Sequence, residues 1–182
     1  MKPLLPALAI LALAVSTSFS QSVVNSSVIP CDALGGVIVC PDMPNPIPAT
    51  KVTVVVRDAG NNPMPNVPVN LGFGSGAINV CPGAILSGVT NANGEAFLLL
   101  AAGGCDQNPS AAKIVANGIP LRTFVVKSPD FDGAGGDKAV NLADLASFSS
   151  GVPCHDYDNN GTVGLSDLIV FAQAFVNPAW CP

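Results

Sequence analysis

Charge is scarce in this chain: charged residues fill 10% of its 182 positions, and seven basic groups face twelve acidic ones, for a formal net charge of −5. A nucleic-acid partner needs clustered lysine and arginine to displace counterions from phosphate, so that class is excluded. Histidine occurs once, as His155, and reads as a solvated loop residue. With no Gly-x-Ser-x-Gly elbow, a Ser–His–Asp arrangement has no nucleophile. Glutamate also occurs once, as Glu95 just after a turn, where it reads as surface. Glycoside hydrolysis needs two carboxylates of different pKa across a cleft, whereas the aspartate pairs here are spaced for metal binding. The segment Gly72-Phe-Gly-Ser-Gly76 has the glycines of a phosphate loop, yet no lysine follows it and no helical pattern opens after it. Aromatics make up 5%, and the single Tyr157 and Trp180 read as local packing rather than a carbohydrate platform. The expectation is a protein with no enzymatic activity.

What is present begins with a targeting segment. Lys2 gives a short positive region, residues 4–15 an apolar run, and Ser18-Phe19-Ser20 a small-residue cleavage site before Gln21. The run is too short for a comfortable membrane span, and no cysteine follows it in a lipobox arrangement. Export is expected, with residues 1–20 as signal peptide and the mature protein secreted to the cell exterior or cell surface.

All six cysteines, Cys31, Cys40, Cys81, Cys105, Cys154 and Cys181, remain in the exported chain. An even count in an oxidising compartment reads as disulfides. Many connectivities are open in principle; sequence neighbourhood suggests Cys31–Cys40, Cys81–Cys105 and Cys154–Cys181. No Cys-x-x-Cys pair exists to hold zinc.

The most informative segment is Asp156-Tyr-Asp-Asn-Asn-Gly-Thr-Val-Gly-Leu-Ser-Asp167, a twelve-residue loop with oxygen-bearing side chains at positions 1, 3, 5 and 12. A hard Ca²⁺ ion takes about six to eight oxygen ligands, and this spacing wraps them around one point. Asp156, Asp158 and Asn160 would give side-chain oxygens and Thr162 its carbonyl, with Asp167 closing the site from the first turn of a helix. Gly161 supplies the sharp turn. An earlier segment repeats the pattern. Asp130-Phe-Asp132 matches Asp156-Tyr-Asp158 at an offset of 26, while Val140-Asn-Leu-Ala-Asp144 matches Val163-Gly-Leu-Ser-Asp167 at an offset of 23. The first loop therefore carries a three-residue insertion within 133–137. Asp130, Asp132, Asp137 and Asp144 are its candidate ligands, and Lys138 stands where the turn glycine should be. Seven of the twelve acids lie in 128–182, facing Lys138 alone, an imbalance that bound cations would offset.

On these residues, 128–182 resembles the dockerin family, whose members pair two such loop–helix halves. The resemblance covers close to a third of the chain. It implies a small calcium-folded module of two helices that docks on a cohesin or another surface protein. At the pair of positions before the last ligand, where that family often has serine or threonine, this chain has Leu142-Ala143 and Leu165-Ser166.

Between 50 and 127 the residues are poor in charge and rich in Val, Ala, Gly, Pro and Asn, a vocabulary of strands and turns. Strands are predicted at 51–56, 67–73, 85–89, 95–100, 112–116 and 121–126. Asn91-Ala-Asn-Gly94 and Asn117-Gly118 are expected as hairpin turns, because both residue types tolerate positive φ. About seven short strands in about eighty residues point to a mainly β, Greek-key sandwich. The run Val56-Arg-Asp-Ala-Gly-Asn-Asn-Pro-Met-Pro-Asn-Val-Pro-Val69 and Thr90-Asn-Ala-Asn-Gly-Glu-Ala-Phe97 resemble bacterial immunoglobulin-like domains of surface adhesins. That resemblance implies a spacer, an adhesive surface or a self-assembly unit.

Residues 21–49 form an extension ending in the Pro-rich linker 41–48. Segment 21–29 reads either as an edge strand of its own sandwich or as a donor strand for a neighbouring subunit. Three functions remain open: a calcium-dependent attachment module fused to a spacer, a self-associating fibre subunit built by strand exchange, and an accessory module of a polysaccharide-degrading system.

Overall fold

The computed structural model describes residues 20–29, 37–38, 51–74, 77–100, 102–132, 135–157 and 160–175. Residues 1–19 of the signal segment, the Pro-rich linker, Cys31, Cys40, Asp158, Trp180 and Cys181 lie outside them. The chain is mainly β, followed by two helices. In order, the strands are β1 (Ser27–Ile29), β2 (Val37–Ile38), β3 (Lys51–Val55), β4 (Pro68–Phe73), β5 (Ile78–Val80), β6 (Ser87–Val89), β7 (Glu95–Leu99), β8 (Ala102–Asp106), β9 (Ala112–Ala116), β10 (Ile119–Phe124) and β11 (Val126–Lys127). The helices are α1 (Leu142–Phe148) and α2 (Leu165–Phe175), with a 3₁₀ turn at Pro153–His155 between them. Neither helix is long and apolar enough to cross a membrane.

The strands form three sheets, ordered β1-β3-β7, β10-β9-β4-β6 and β2-β11-β8-β5, antiparallel throughout except for the β2–β11 pair. Alternating burial builds the core of the first two. Val52 and Val54 of β3 stand opposite Leu98 and Ala96 of β7, while Val69 and Leu71 of β4 stand opposite Ala116 and Ile114 of β9. All eight are buried, and both faces contribute to one continuous apolar cluster. A period of two gives each strand one apolar face, and burying those faces is the main source of stability.

Asn117 and Gly118 take φ of 48° and 80° and close the β9–β10 hairpin as expected. Asn91–Gly94 does something else. Ile85 exchanges two backbone hydrogen bonds of 2.9 Å with Leu99 of β7, but Leu86 O accepts from Leu71 of β4, and β6 pairs with β4. The segment thus switches sheets within one residue, a corner of the kind that joins packed sheets. The turn after it connects two sheets rather than closing a hairpin. It is tight because the Asn91 side chain accepts from the Asn93 and Glu95 N–H groups, and Gly94, at φ 74°, sits against the Val56 carbonyl.

Segment 21–29 is fastened to its own chain. β1 pairs with β3, Ser22 N–H donates to Arg57 O, and the Asn25 amide donates to Asp58 O.

Two strands were not expected, β5 and β8. The sequence of β8, Ala-Gly-Gly-Cys-Asp, reads as a turn, yet its first four residues are buried. It is the seam of the molecule. β5 and β11 flank it, and its Gly104 N–H donates to Asp130 O. Its Cys105 bonds to Cys154 at the start of the second loop (S–S 2.06 Å). This bond corrects both Cys81–Cys105 and Cys154–Cys181, since each used one of its cysteines. Pairing by sequence proximity failed because β8 lies against residues distant along the chain, Asp130 and Gly135 of the first loop and Cys154 before the second. Cys81 is disulfide-bonded as well. Disulfides suit an oxidising compartment.

The Cys105–Cys154 bond spans a sequence separation of 49. In the chain-entropy account, closing a loop of that length stabilises by about 4 kcal/mol. Replacing both cysteines with serine should lower unfolding free energy by about 2–4 kcal/mol in chemical denaturation, with the helices losing signal first.

Candidate metal centre

Each loop closes on its first and last aspartates. In the second, the Asp156 carboxylate accepts from the N–H groups of Asn160 (3.1 Å) and Gly161 (3.2 Å). In the first, Asp130 accepts from Asp137 and Lys138, both at 2.9 Å. Asp167 accepts from Tyr157 (2.5 Å) and Gly164 (2.8 Å), and Asp144 likewise from Phe131 (2.6 Å) and Asn141 (2.8 Å). One pattern therefore serves both loops, at offsets of 26 before the insertion and 23 after it. Lys138 takes φ 72° where Gly161 takes 88°. A lysine adopts this unfavourable region because the two N–H donors on the Asp130 carboxylate hold the turn there.

The four closing aspartates are buried. In the first loop, oxygens of Asp130, Asp132 and Asp144 lie within 4.8 Å of one another. Ligands about 2.3–2.6 Å from a shared Ca²⁺ are at most about 5 Å apart, so the cluster has the dimensions of one coordination sphere. The donors are all hard oxygens, which suits calcium or magnesium rather than a thiophilic metal. Asp137 is not brought into the cluster: its oxygens accept from Ala139 N–H (2.9 Å) and the Asn141 amide (3.5 Å). In the second loop, Asp156 and Asp167 are placed as described, and the Asn160 side chain accepts from Thr162 N–H (2.8 Å) and its hydroxyl (2.5 Å). Asp158 is the expected ligand outside the described residues.

Without a cation, this proximity is costly. Burial, followed by the fields of Asp144 and Asp137, pushes the Asp130 carboxyl up to about 6, although two N–H donors oppose the shift. Burial also raises Asp144, with Asp132 and Asp137 adding to it.

Three features of the site were not legible as such. β8 supplies one wall: a Cβ on Gly103 would fall 1.9 Å from Asp130 Oδ2, so the strand can pass only as glycine. Lys127 reaches the second loop from the other side, pairing with Asp156 Oδ2 at 3.5 Å and donating to the Asp156 carbonyl. His155 corrects the expectation of a solvated residue, being fully buried. It packs on Phe131 and Phe148 (centroids at 5.5 and 5.3 Å), and its Nδ1 lies 3.2 Å from the Tyr157 hydroxyl. Burial lowers its pKa, so it sits there as a neutral ring. A hydrophobic signal could have found it, since Phe131 and Tyr157 occupy position 2 of the two loops and Phe148 and Phe171 match across the helices.

The chain matches no protein-family model, no curated protein and no solved structure.

Two outcomes are expected. Gly103→Ala should displace Asp130 from the cluster it forms with Asp132 and Asp144, abolishing any response of the first loop to an added divalent cation and lowering stability by about 1–3 kcal/mol, measured by calorimetry and thermal melts. The pH dependence follows from Asp130. Its folded pKa lies above the ordinary 3.8, so between about pH 4 and 6 the cation-free folded state holds more protons than the unfolded chain. That contribution is present at low pH and lost as pH rises through 6. Lowered His155 works oppositely, its contribution falling away below the ordinary 6.5. The comparison with Asp130→Asn isolates the carboxyl. In EDTA the wild type should gain melting temperature relative to that variant between pH 7.5 and 5; in excess calcium it should lose, because protons then compete with the ion.

Proposed function

We propose that the chain is a secreted, non-catalytic attachment protein: an immunoglobulin-like sandwich used as a spacer or adhesive unit, carrying a dockerin-like module stabilised by calcium. The observation that carries this reading is the repeated carboxylate-to-backbone pattern of the two loops, with three acidic oxygens of the first converging on one point. In one loop it would be an aspartate-rich turn; in two loops, each followed by a helix, it describes a duplicated ion-binding unit. The ion's role is to hold shape. The described surroundings offer neither an activated nucleophile nor a paired acid and base, and the sole histidine is enclosed by aromatic rings.

Attachment is favoured by what the helices leave outside. Leu142 and Leu165 occupy matching positions at the helix starts and are 71% and 74% exposed; Leu145 and Leu168 match one turn later and are also exposed. Apolar side chains repeated on a charge-poor surface suit a protein partner, either cohesin-like or another surface protein. The fibre alternative would require 21–29 to leave β3, against the hydrogen bonds that hold it there. No specific observation favours it or the polysaccharide-degrading alternative.

Thermal melts test the reading. At a calcium concentration about a thousand times its dissociation constant, the ion should stabilise by about 4 kcal/mol per site. EDTA should lower the melting temperature, and Asp156→Ala with Asp167→Ala should remove the part owed to the second loop. A melting curve indifferent to chelator would sink the reading.

A further inference from the structure

The two loops share a sequence pattern but are anchored by different chemistry. The carbonyl of the first aspartate in each is held from the β region. Asp130 O accepts from the neutral peptide N–H of Gly104, at 2.8 Å. Asp156 O accepts instead from the Lys127 ammonium, which also lies 3.5 Å from Asp156 Oδ2. Both partners are almost entirely buried. A buried ammonium is a poor choice for strength alone, because desolvation offsets most of the attraction and an apolar side chain would serve as well. At the end of β11 it has a more specific effect, which is to place a fixed positive charge beside an acidic loop.

Charge counts sharpen the contrast. The first loop carries four carboxylates, Asp130, Asp132, Asp137 and Asp144; the second carries three, Asp156, Asp158 and Asp167, with the amide Asn160 in place of Asp137. Adding Lys127 brings the second to a net −2, against −3 for the first once its own Lys138 is counted. Cation affinity in oxygen-ligand loops follows ligand charge. A positive charge within a few ångströms of the site acts strongly at the dielectric of a partly buried pair.

We propose that Lys127 is a resident counter-cation of the second loop, and that it makes the two loops unequal, the first binding divalent calcium more tightly and the second more weakly. Lys127 is a positioning and affinity-setting residue, since it touches a candidate ligand and not the ion. The ammonium keeps the second loop formed when calcium is scarce, whereas the first, with no ammonium on Asp130 among the described residues, depends on the ion. The module would then load in order, first loop before second. This inference rests on the calcium reading above.

The test is calcium titration of the mature chain by calorimetry at pH 7.5, with near-ultraviolet dichroism to verify folding. Two steps are expected, with Asp132→Asn removing the tighter and Asn160→Ala impairing the weaker. Lys127→Gln should tighten the weaker step by about tenfold and leave the tighter one alone. Lys127→Arg keeps the charge and should leave both steps as in the wild type. A weaker step that is unchanged or loosened in folded Lys127→Gln overturns the proposal, as does loss of the weaker step in Asp132→Asn. If Lys127→Gln does not fold, the assignment of steps by Asp132→Asn and the behaviour of Lys127→Arg decide it, a tightened second loop in Lys127→Arg being fatal. Two steps of equal affinity overturn this proposal alone; absence of calcium binding removes the calcium reading beneath it.

Discussion

Asp130 is an acid placed where an acid is expensive, and much of the architecture around it exists to make that tolerable. Its carboxylate is fully buried between Gly103 and Gly136, at both of which a Cβ would collide with it. Two backbone N–H groups satisfy its oxygens, and its own carbonyl is tied to β8. An ionised group removed from water needs such donors or a cation. Gly103 of β8, Gly136 of the first loop and the left-handed Lys138 are all arranged about this one side chain.

The helices are joined to the sheets by contacts that cross the sequence boundary near 127. Tyr157 and Phe171 belong to the same apolar cluster as the strands, and the Tyr157 hydroxyl donates to Ser128 O. Within the C-terminal part, position 2 of each loop and Phe148 of α1 pack around His155, and the matching Phe171 of α2 packs on Phe148. The repeat therefore produces a pseudo-symmetric aromatic centre with one unique residue in it. Unlike the loops, this centre is apolar and neutral, so it keeps the helices together independently of ions.

What was legible and what was not divides on physical grounds. Strands with strict alternation, β3, β4, β7 and β9, could be read because burying one face imposes a period of two. The loop register, including the three-residue insertion and the place of Lys138, could be read because ligand geometry imposes spacing on oxygen-bearing residues. β8 could not: Gly103 is there for close approach to Asp130, and local sequence gives no sign of a neighbour that arrives 27 residues later. The cysteine pairing failed for the same reason, because proximity along the chain says little where a strand serves as a seam. The turn at Asn91–Gly94 was recognised as a turn but assigned the wrong task. Its residues fix a local bend, while sheet membership is decided by which strand edges are vacant on either side.

The Cys105–Cys154 bond also sets the path that tension takes. A pull entering at the exposed surface of α2 and running back along the chain meets the second loop and then crosses at Cys154 directly onto β8. While the bond is intact, residues 106–153 cannot be drawn out by that pull. Strands β9 to β11, the first loop and α1 are bypassed by the load, and along this route only the second loop and α2 are left to peel. A protein that is held by its helices would thus pass the load to β8 and yield first at one end, keeping its more acidic loop out of the line of force.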